Sequence, residues 1–175
     1  MHILIAGQSC SGKSTFLKFC HQSGLFDSLS IIDLDEHLKK NFTPSENSSF
    51  FVDRNSLKAF RHMELSALSQ LLQKEINSLV VLGGGTLDNY SVGDIKNLEM
   101  KNVGLFHFKE DPSLCLERAI QHDRPLTKVL EMSELKTLFE QRQKKMDLIS
   151  RTLPADNFQT SLKILQEFMA NPCQN

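Results

Sequence analysis

Residues 7 to 15 read Gly7-Gln8-Ser9-Cys10-Ser11-Gly12-Lys13-Ser14-Thr15, a G-x-x-x-x-G-K-[ST] pattern. The apolar run Ile3-Leu4-Ile5-Ala6 precedes it, and a helix-compatible stretch from Ser14 to His21 follows. Strand, loop and helix in that order are the setting in which this pattern cradles phosphate. Gly7 and Gly12 let the backbone bend so that its N–H groups face one anion. The helix that starts near Lys13 adds the positive end of its dipole. Lys13 brings an ammonium to the outer phosphates, and Ser14 offers a hydroxyl to Mg²⁺. Chance supplies such a match in a chain this long roughly one time in a hundred or less. The loop therefore points to an α/β fold and a nucleoside triphosphate, and leaves the acceptor open.

The chain has 175 residues, enough for one domain with a sizeable core. Its formal net charge of -1 gives no bulk electrostatic reason for a nucleic-acid partner. Cysteines at 10, 20, 115 and 173 form no C-x-x-C pair, so neither zinc nor a redox motif is indicated. There is no leader-like segment and no apolar run of membrane-spanning length. A cytoplasmic protein without a membrane partner is expected.

Apolar runs at Ile3 to Ala6, Leu29 to Ile32, Leu79 to Leu82 and Val103 to Phe108 suit buried parallel strands. A weaker run lies at Ala155 to Phe158. Helical patterns alternate with them at Ser14 to Cys20, Asn55 to Lys74, Pro112 to Gln121, Ser133 to Ser150 and Ser161 to Ala170. Asp111-Pro112 reads as a cap followed by proline at the first helical position. Residues 43 to 50 are expected to form a loop on the acceptor side, and His122 to Glu131 a mobile segment.

Further constellations follow the strand runs. In Asp33-Leu34-Asp35 the i, i+2 spacing at a strand end places both carboxylates at the mouth of the sheet, where open α/β sheets bind ligands. One can help to hold Mg²⁺ and the other can accept a hydroxyl proton. The plainer alternative makes Asp35 the cap of a helix from Glu36 to Asn41. In Phe60-Arg61-His62-Met63-Glu64 the carboxylate of Glu64 can fix the Arg61 guanidinium for a bidentate grip on a substrate carboxylate, although such spacing is commonly a surface pair. Gly83-Gly84-Gly85 lets a ligand approach the backbone closely. It carries no acidic residue, so Asp33 is the better candidate on the metal side. Arg124-Pro125-Leu126 puts a cation on the second segment, where it can neutralise charge on a transferring phosphoryl group. Arg142 lies in a helix with Lys144 and Lys145, which read as a solvated basic face.

Taken in order, these motifs resemble the shikimate kinases. The specific part is the ordered set Asp33-x-Asp35, Phe60-Arg61-x-x-Glu64, Gly83-Gly84-Gly85, Arg124-Pro125-Leu126 and Arg142. The resemblance implies Mg²⁺-dependent transfer of the ATP γ-phosphoryl group to the 3-hydroxyl of shikimate, a step toward chorismate. It implies a single nucleoside monophosphate kinase-like P-loop domain over 1–175, with a five-stranded parallel sheet in order 2-3-1-4-5 flanked by helices. A substrate segment over about 36–62 and a lid over about 115–131 are expected.

Carried over by position, Lys13, Asp35 and Arg124 would be catalytic. Cys10, Ser11, Gly12, Lys13, Ser14, Thr15, Arg118 and Arg124 would bind ATP, with Arg118 toward adenine. Asp35, Phe60, Arg61, Gly83, Gly84, Gly85 and Arg142 would bind shikimate, the two arginines at its carboxylate. Ser14 and Asp33 would serve Mg²⁺, Asp33 through water. Only ATP and shikimate are expected as partners, and a monomer is expected. The loop's Gln-Ser-Cys-Ser interior, Met146 and Ser150 depart from the commoner family residues. The alternatives are another small-molecule kinase of this fold, such as a gluconokinase, or a nucleotide-binding regulator without catalysis.

Overall fold

A computed structural model describes residues 1–42, 54–100 and 103–171. The expected loop at 43–50 and Cys173 lie outside them. Five strands, β1 (His2–Ala6), β2 (Ser30–Asp33), β3 (Ser78–Val81), β4 (Val103–Lys109) and β5 (Arg151–Pro154), form one sheet in the order β2-β3-β1-β4-β5. Every pairing is parallel, as in Ile3 opposite Leu79 and Gly104.

The helices follow from that sheet. Parallel strands need crossovers, and a sheet covered on both faces needs apolar side chains on both. Successive residues of β1 accordingly enter different cores. Leu4 and Ala6 join Val80, Leu105 and residues of α2 (Leu34–Phe42), α3 (Arg54–Leu72) and α4 (Val92–Met100). Ile3 and Ile5 join Leu79, Phe106, Phe108 and residues of α1 (Lys13–Gln22) and α8 (Phe158–Ala170). The second core is phenylalanine-rich, with Phe16 stacked on Phe108 at 5.1 Å between ring centroids. Leu4→Ala would cost about 2–5 kcal/mol, because Leu4 is fully buried at the centre of the sheet. Between β4 and β5 lie α5 (Pro112–Gln121), α6 (Pro125–Val129) and α7 (Met132–Met146).

Three expectations about elements change. The last strand is Arg151–Pro154, not Ala155 to Phe158. It is an edge strand in which only Leu153 is fully buried, so its polar Arg151 and Thr152 hide it from a search for apolar runs. Asn157 instead caps α8, its side chain accepting from Thr160 N–H at 2.9 Å, so that helix starts before Ser161. The helix expected to reach Ser150 ends at Met146. A 3₁₀ turn at Thr86–Asn89 and α4 were not anticipated. The available signal for α4 was Ser91-x-x-Asp94, a reciprocal capping box in which Asp94 N–H donates to Ser91 Oγ and Ser91 N–H to Asp94 Oδ2. Asp111 caps α5 as expected, accepting from the N–H groups of Ser113 and Leu114. His122 to Glu131 contains the short helix α6.

Candidate active site

The phosphate loop joins the central strand β1 to α1, which puts it at the carboxyl end of the sheet. Gly12 caps α1 with φ 94°, a left-handed conformation that disfavours side chains. The ammonium of Lys13 folds back over the loop. It donates to the carbonyls of Gly7 at 2.9 Å and Gln8 at 2.6 Å. Burial pushes its pKa down to about 8, against the pull of Asp35 and Asp33 nearby. Gln8, noted in the sequence only as a departure from the commoner family residues, is buried and donates Nε2–H to the Phe139 carbonyl of α7 at 2.7 Å. It ties the loop to the helix that carries Arg142.

The arrangement of the two aspartates differs from expectation. Asp33 ends β2 and α2 begins at once with Leu34, so Asp35 belongs to a helical first turn rather than to a strand end. Asp33, not Asp35, caps that helix: its Oδ1 accepts from Asp35 N–H at 3.1 Å and Glu36 N–H at 3.3 Å. Its other oxygen accepts from the Ser14 hydroxyl at 2.7 Å. Helical geometry still leaves both carboxylates in one cleft of about 340 Å³ with Cys10, Lys13 and Ser14. Ser11, Gly12, Thr15, Gly83 and Gly84 also line it. Burial raises the pKa of Asp35, helped by Asp33 and opposed by Lys13 and Arg61.

Arg118, His122 and Arg124 also line the cleft. The Arg118 guanidinium donates to Glu110 Oε2 at 3.0 Å and more weakly to the Cys10 carbonyl at 3.4 Å. Arg124 is exposed at the start of α6. His122 was missed because a lone histidine carries no motif.

Next to this cleft the triple glycine forms a wall. A Cβ at Gly84 would meet Ser9 of the phosphate loop. One at Gly83 would collide with carboxylate oxygens of Glu64 and Asp35, and one at Gly85 with the guanidinium groups of both Arg61 and Arg142. The glycines thus bring together side chains from α2, α3 and α7. Arg61 and Glu64 are ion-paired, with side chains 13% and 0% exposed, so this is no solvated surface pair. Thr86 Oγ1–H donates to Glu64 Oε1 at 2.6 Å, and burial raises the Glu64 pKa against Arg61 and Thr86. Arg142 is buried and bidentate on Asp88, Nε–Oδ1 2.9 Å and Nη2–Oδ2 2.6 Å. Phe60 lies in the core cluster that contains Leu34 and Leu38, with the Arg61 guanidinium 5.8 Å from its ring centroid.

Asp88 and Thr86 were not singled out in the sequence, because their meaning depends on the 3₁₀ turn that follows the glycines. Lys145 is also corrected. It is half-buried and donates to the Leu87 and Asp88 carbonyls at 3.0 and 2.7 Å, ending that turn, whereas Lys144 is exposed.

The shikimate kinase family model matches residues 9–171. The chain belongs to the shikimate kinase family. It is an ATP-dependent small-molecule kinase, and phosphorylation of shikimate is the family's reaction. The solved shikimate kinase of Aquifex aeolicus is 26% identical, with full coverage of both chains and a TM-score of 0.73. A shikimate kinase from Acinetobacter baumannii in complex with shikimate is 18% identical, with 99% of this chain and 95% of that one covered and a TM-score of 0.72. A gluconokinase from Sinorhizobium meliloti 1021 shares the fold less closely, at 18% identity, a TM-score of 0.52, and 97% and 94% coverage. No curated protein matches the chain. No helix among the described residues is long and apolar enough to cross a membrane.

Proposed function

We propose that the kinase transfers the γ-phosphoryl group of ATP to the 3-hydroxyl of shikimate, with Mg²⁺. The observation that carries this reading is the convergence of the Arg61 and Arg142 guanidinium groups at Gly85, beside the cleft shared by Lys13, Ser14, Asp33 and Asp35. Fixed arginine forks suit a carboxylate, and the wall next to them ends at a phosphate cradle. A carboxylated polyol spans both.

The loop residues 10 to 15 and Lys13 hold the triphosphate in this reading, with Arg118 toward the base. Asp35 sits at the acceptor hydroxyl and takes its proton, and its raised pKa makes it a stronger base than an exposed aspartate. Arg124 faces the transferring group when the segment at 115–131 closes over the cleft and excludes water. Arg61 and Arg142 hold the carboxylate, Gly83 to Gly85 admit the ring, and Phe60 stiffens the Arg61 side of the pocket.

The donor set fits Mg²⁺. Ser14 and Asp33 already touch, and Asp33 is oriented by its capping bonds. Mg²⁺ commonly binds through one or two protein oxygens together with substrate phosphates, and Ser14 and Asp33 can supply those oxygens beside the phosphate loop. When bound, Mg²⁺ supplies charge neutralisation to the outer phosphates. The described residues of one chain carry the whole arrangement, so a monomer suffices, and a cytoplasmic location belongs to the same reading.

The test is ADP release coupled to a spectroscopic readout, with ATP, Mg²⁺ and one acceptor at a time. Release that requires shikimate supports the proposal. Turnover of gluconate instead of shikimate would replace it with a gluconokinase activity. ATP binding with no acceptor-dependent release would make the protein a nucleotide-binding regulator.

A further inference from the structure

Each arginine at Gly85 has its own carboxylate. Glu64, one helical turn along α3, holds Arg61 through Nη1. Asp88, from the 3₁₀ turn after the glycines, holds Arg142 by its Nε–Nη2 edge at 2.9 and 2.6 Å. It also lies 3.8 Å from Arg61 Nε. Arg142 is 3% exposed, yet its remaining nitrogen, Nη1, is buried and has no partner among the described residues. An orphaned guanidinium N–H in a buried site is costly unless a ligand completes it. Asp88 is braced in turn, since its N–H donates to the Gly85 carbonyl at 3.0 Å and its own carbonyl accepts from Lys145 at 2.7 Å.

We infer that Asp88 is a positioning residue for acceptor specificity: by clamping Nε and Nη2 it holds the Arg142 guanidinium at Gly85 beside Arg61 and leaves Nη1 uncommitted for the acceptor's carboxylate. The inference rests on the proposed shikimate reading and deepens it. The triple glycine allows the two arginines to approach, and Asp88 decides which way the second one faces. Since Asp88 carries charge as well as shape, it could instead compete with the acceptor for Arg142, and the two roles differ in sign.

Calorimetric titration separates them. Shikimate and its neutral methyl ester are titrated into the wild type, Asp88→Asn, Arg142→Lys and the double variant. Asparagine keeps the side chain's shape and one acceptor, so thermal melting checks that the fold survives. If Asp88 positions Arg142, the wild type prefers the free acid, and Asp88→Asn lowers that preference roughly tenfold, as loss of one charge-assisted bond would. The ester's affinity and the KM for ATP stay unchanged. In the Arg142→Lys background most of the effect of Asp88→Asn disappears, leaving only what its charge 3.8 Å from Arg61 Nε contributes, a non-additivity that a general packing role would not produce. An unchanged or increased preference for the acid in Asp88→Asn overturns the inference, the increase showing that Asp88 competes. So does a wild type that does not discriminate acid from ester. Selective binding of shikimate without turnover would sink the proposed reaction and leave the role of Asp88 standing.

Discussion

The proposed donor and acceptor halves of the site are built in opposite ways. The donor half is nine consecutive residues, from the end of one strand into the first turn of the next helix, and its cation is held by neutral backbone carbonyls. The acceptor half draws on α2, α3, the 3₁₀ turn and α7, and its two arginines are already paired with carboxylates. A polyphosphate brings enough charge to pull Lys13 off its carbonyls. A lone carboxylate does not, so in the proposed reading the acceptor side relies on guanidinium groups oriented in advance, with little entropy left to lose on binding. The donor half is thus adaptable and the acceptor half preorganised.

Variants can break that contrast. Asp35, where the halves meet, carries the largest expected effect: Asp35→Asn should lower kcat roughly 10²–10⁴-fold with little change in the KM for ATP. Steady-state kinetics with both substrates check it, and an unaltered kcat removes Asp35 from the chemistry. In the preorganised half, Gly85→Ala should drive Arg61 and Arg142 apart and raise the KM for shikimate by at least about tenfold, more than it alters the KM for ATP. Equal effects on both substrates would mean that the halves are not separable. Arg61→Lys should act in the same direction and less severely, because a point charge keeps the sign and loses the fork.

Protonation sharpens the donor side. Lys13 has a pKa near 8 while it is buried on its own loop, and polyphosphate beside it should raise that value. ATP binding at pH 8 to 9 should therefore take up protons, whereas shikimate binding should not involve Lys13. Calorimetry in buffers of different ionisation enthalpy reads the uptake, and equal heats across buffers would refute it. The smallest effect lies outside both halves. Burial pushes His107 down to about 4, below its ordinary 6.5. The unfolded chain then binds the extra proton first, so this stability is full above 6.5 and declines as pH falls toward 4. His107→Leu should flatten that part of the melting-temperature profile, and an unchanged slope would assign acid sensitivity elsewhere.

Legibility in the sequence followed the same divide. The phosphate loop could be read because its function is encoded in adjacent backbone, and Ile3 to Ala6 could be read because a covered parallel strand is apolar on both faces. Arg61 with Glu64 was visible as helical spacing, but whether the pair faced solvent or the site was not. Arg151 to Pro154 escaped because an edge strand needs only Leu153 inside. Asp33 and Asp35 were correctly grouped for an incorrect geometric reason, since α2 begins at Leu34, two residues before the helix expected from Glu36.

By itself the sequence determined a phosphate-binding α/β domain and the positions of its apolar strands, which rest on local backbone needs and on the period of apolar residues written along the chain. The sheet order and the family were implied by the resemblance of its motifs. Only the tertiary structure decided that Asp88, fifty-four positions from Arg142, would hold it, that Lys145 would end a turn, and that two guanidinium groups would converge at Gly85. Such pairings depend on which helix crosses which strand end, a relation between distant segments that no local spacing expresses.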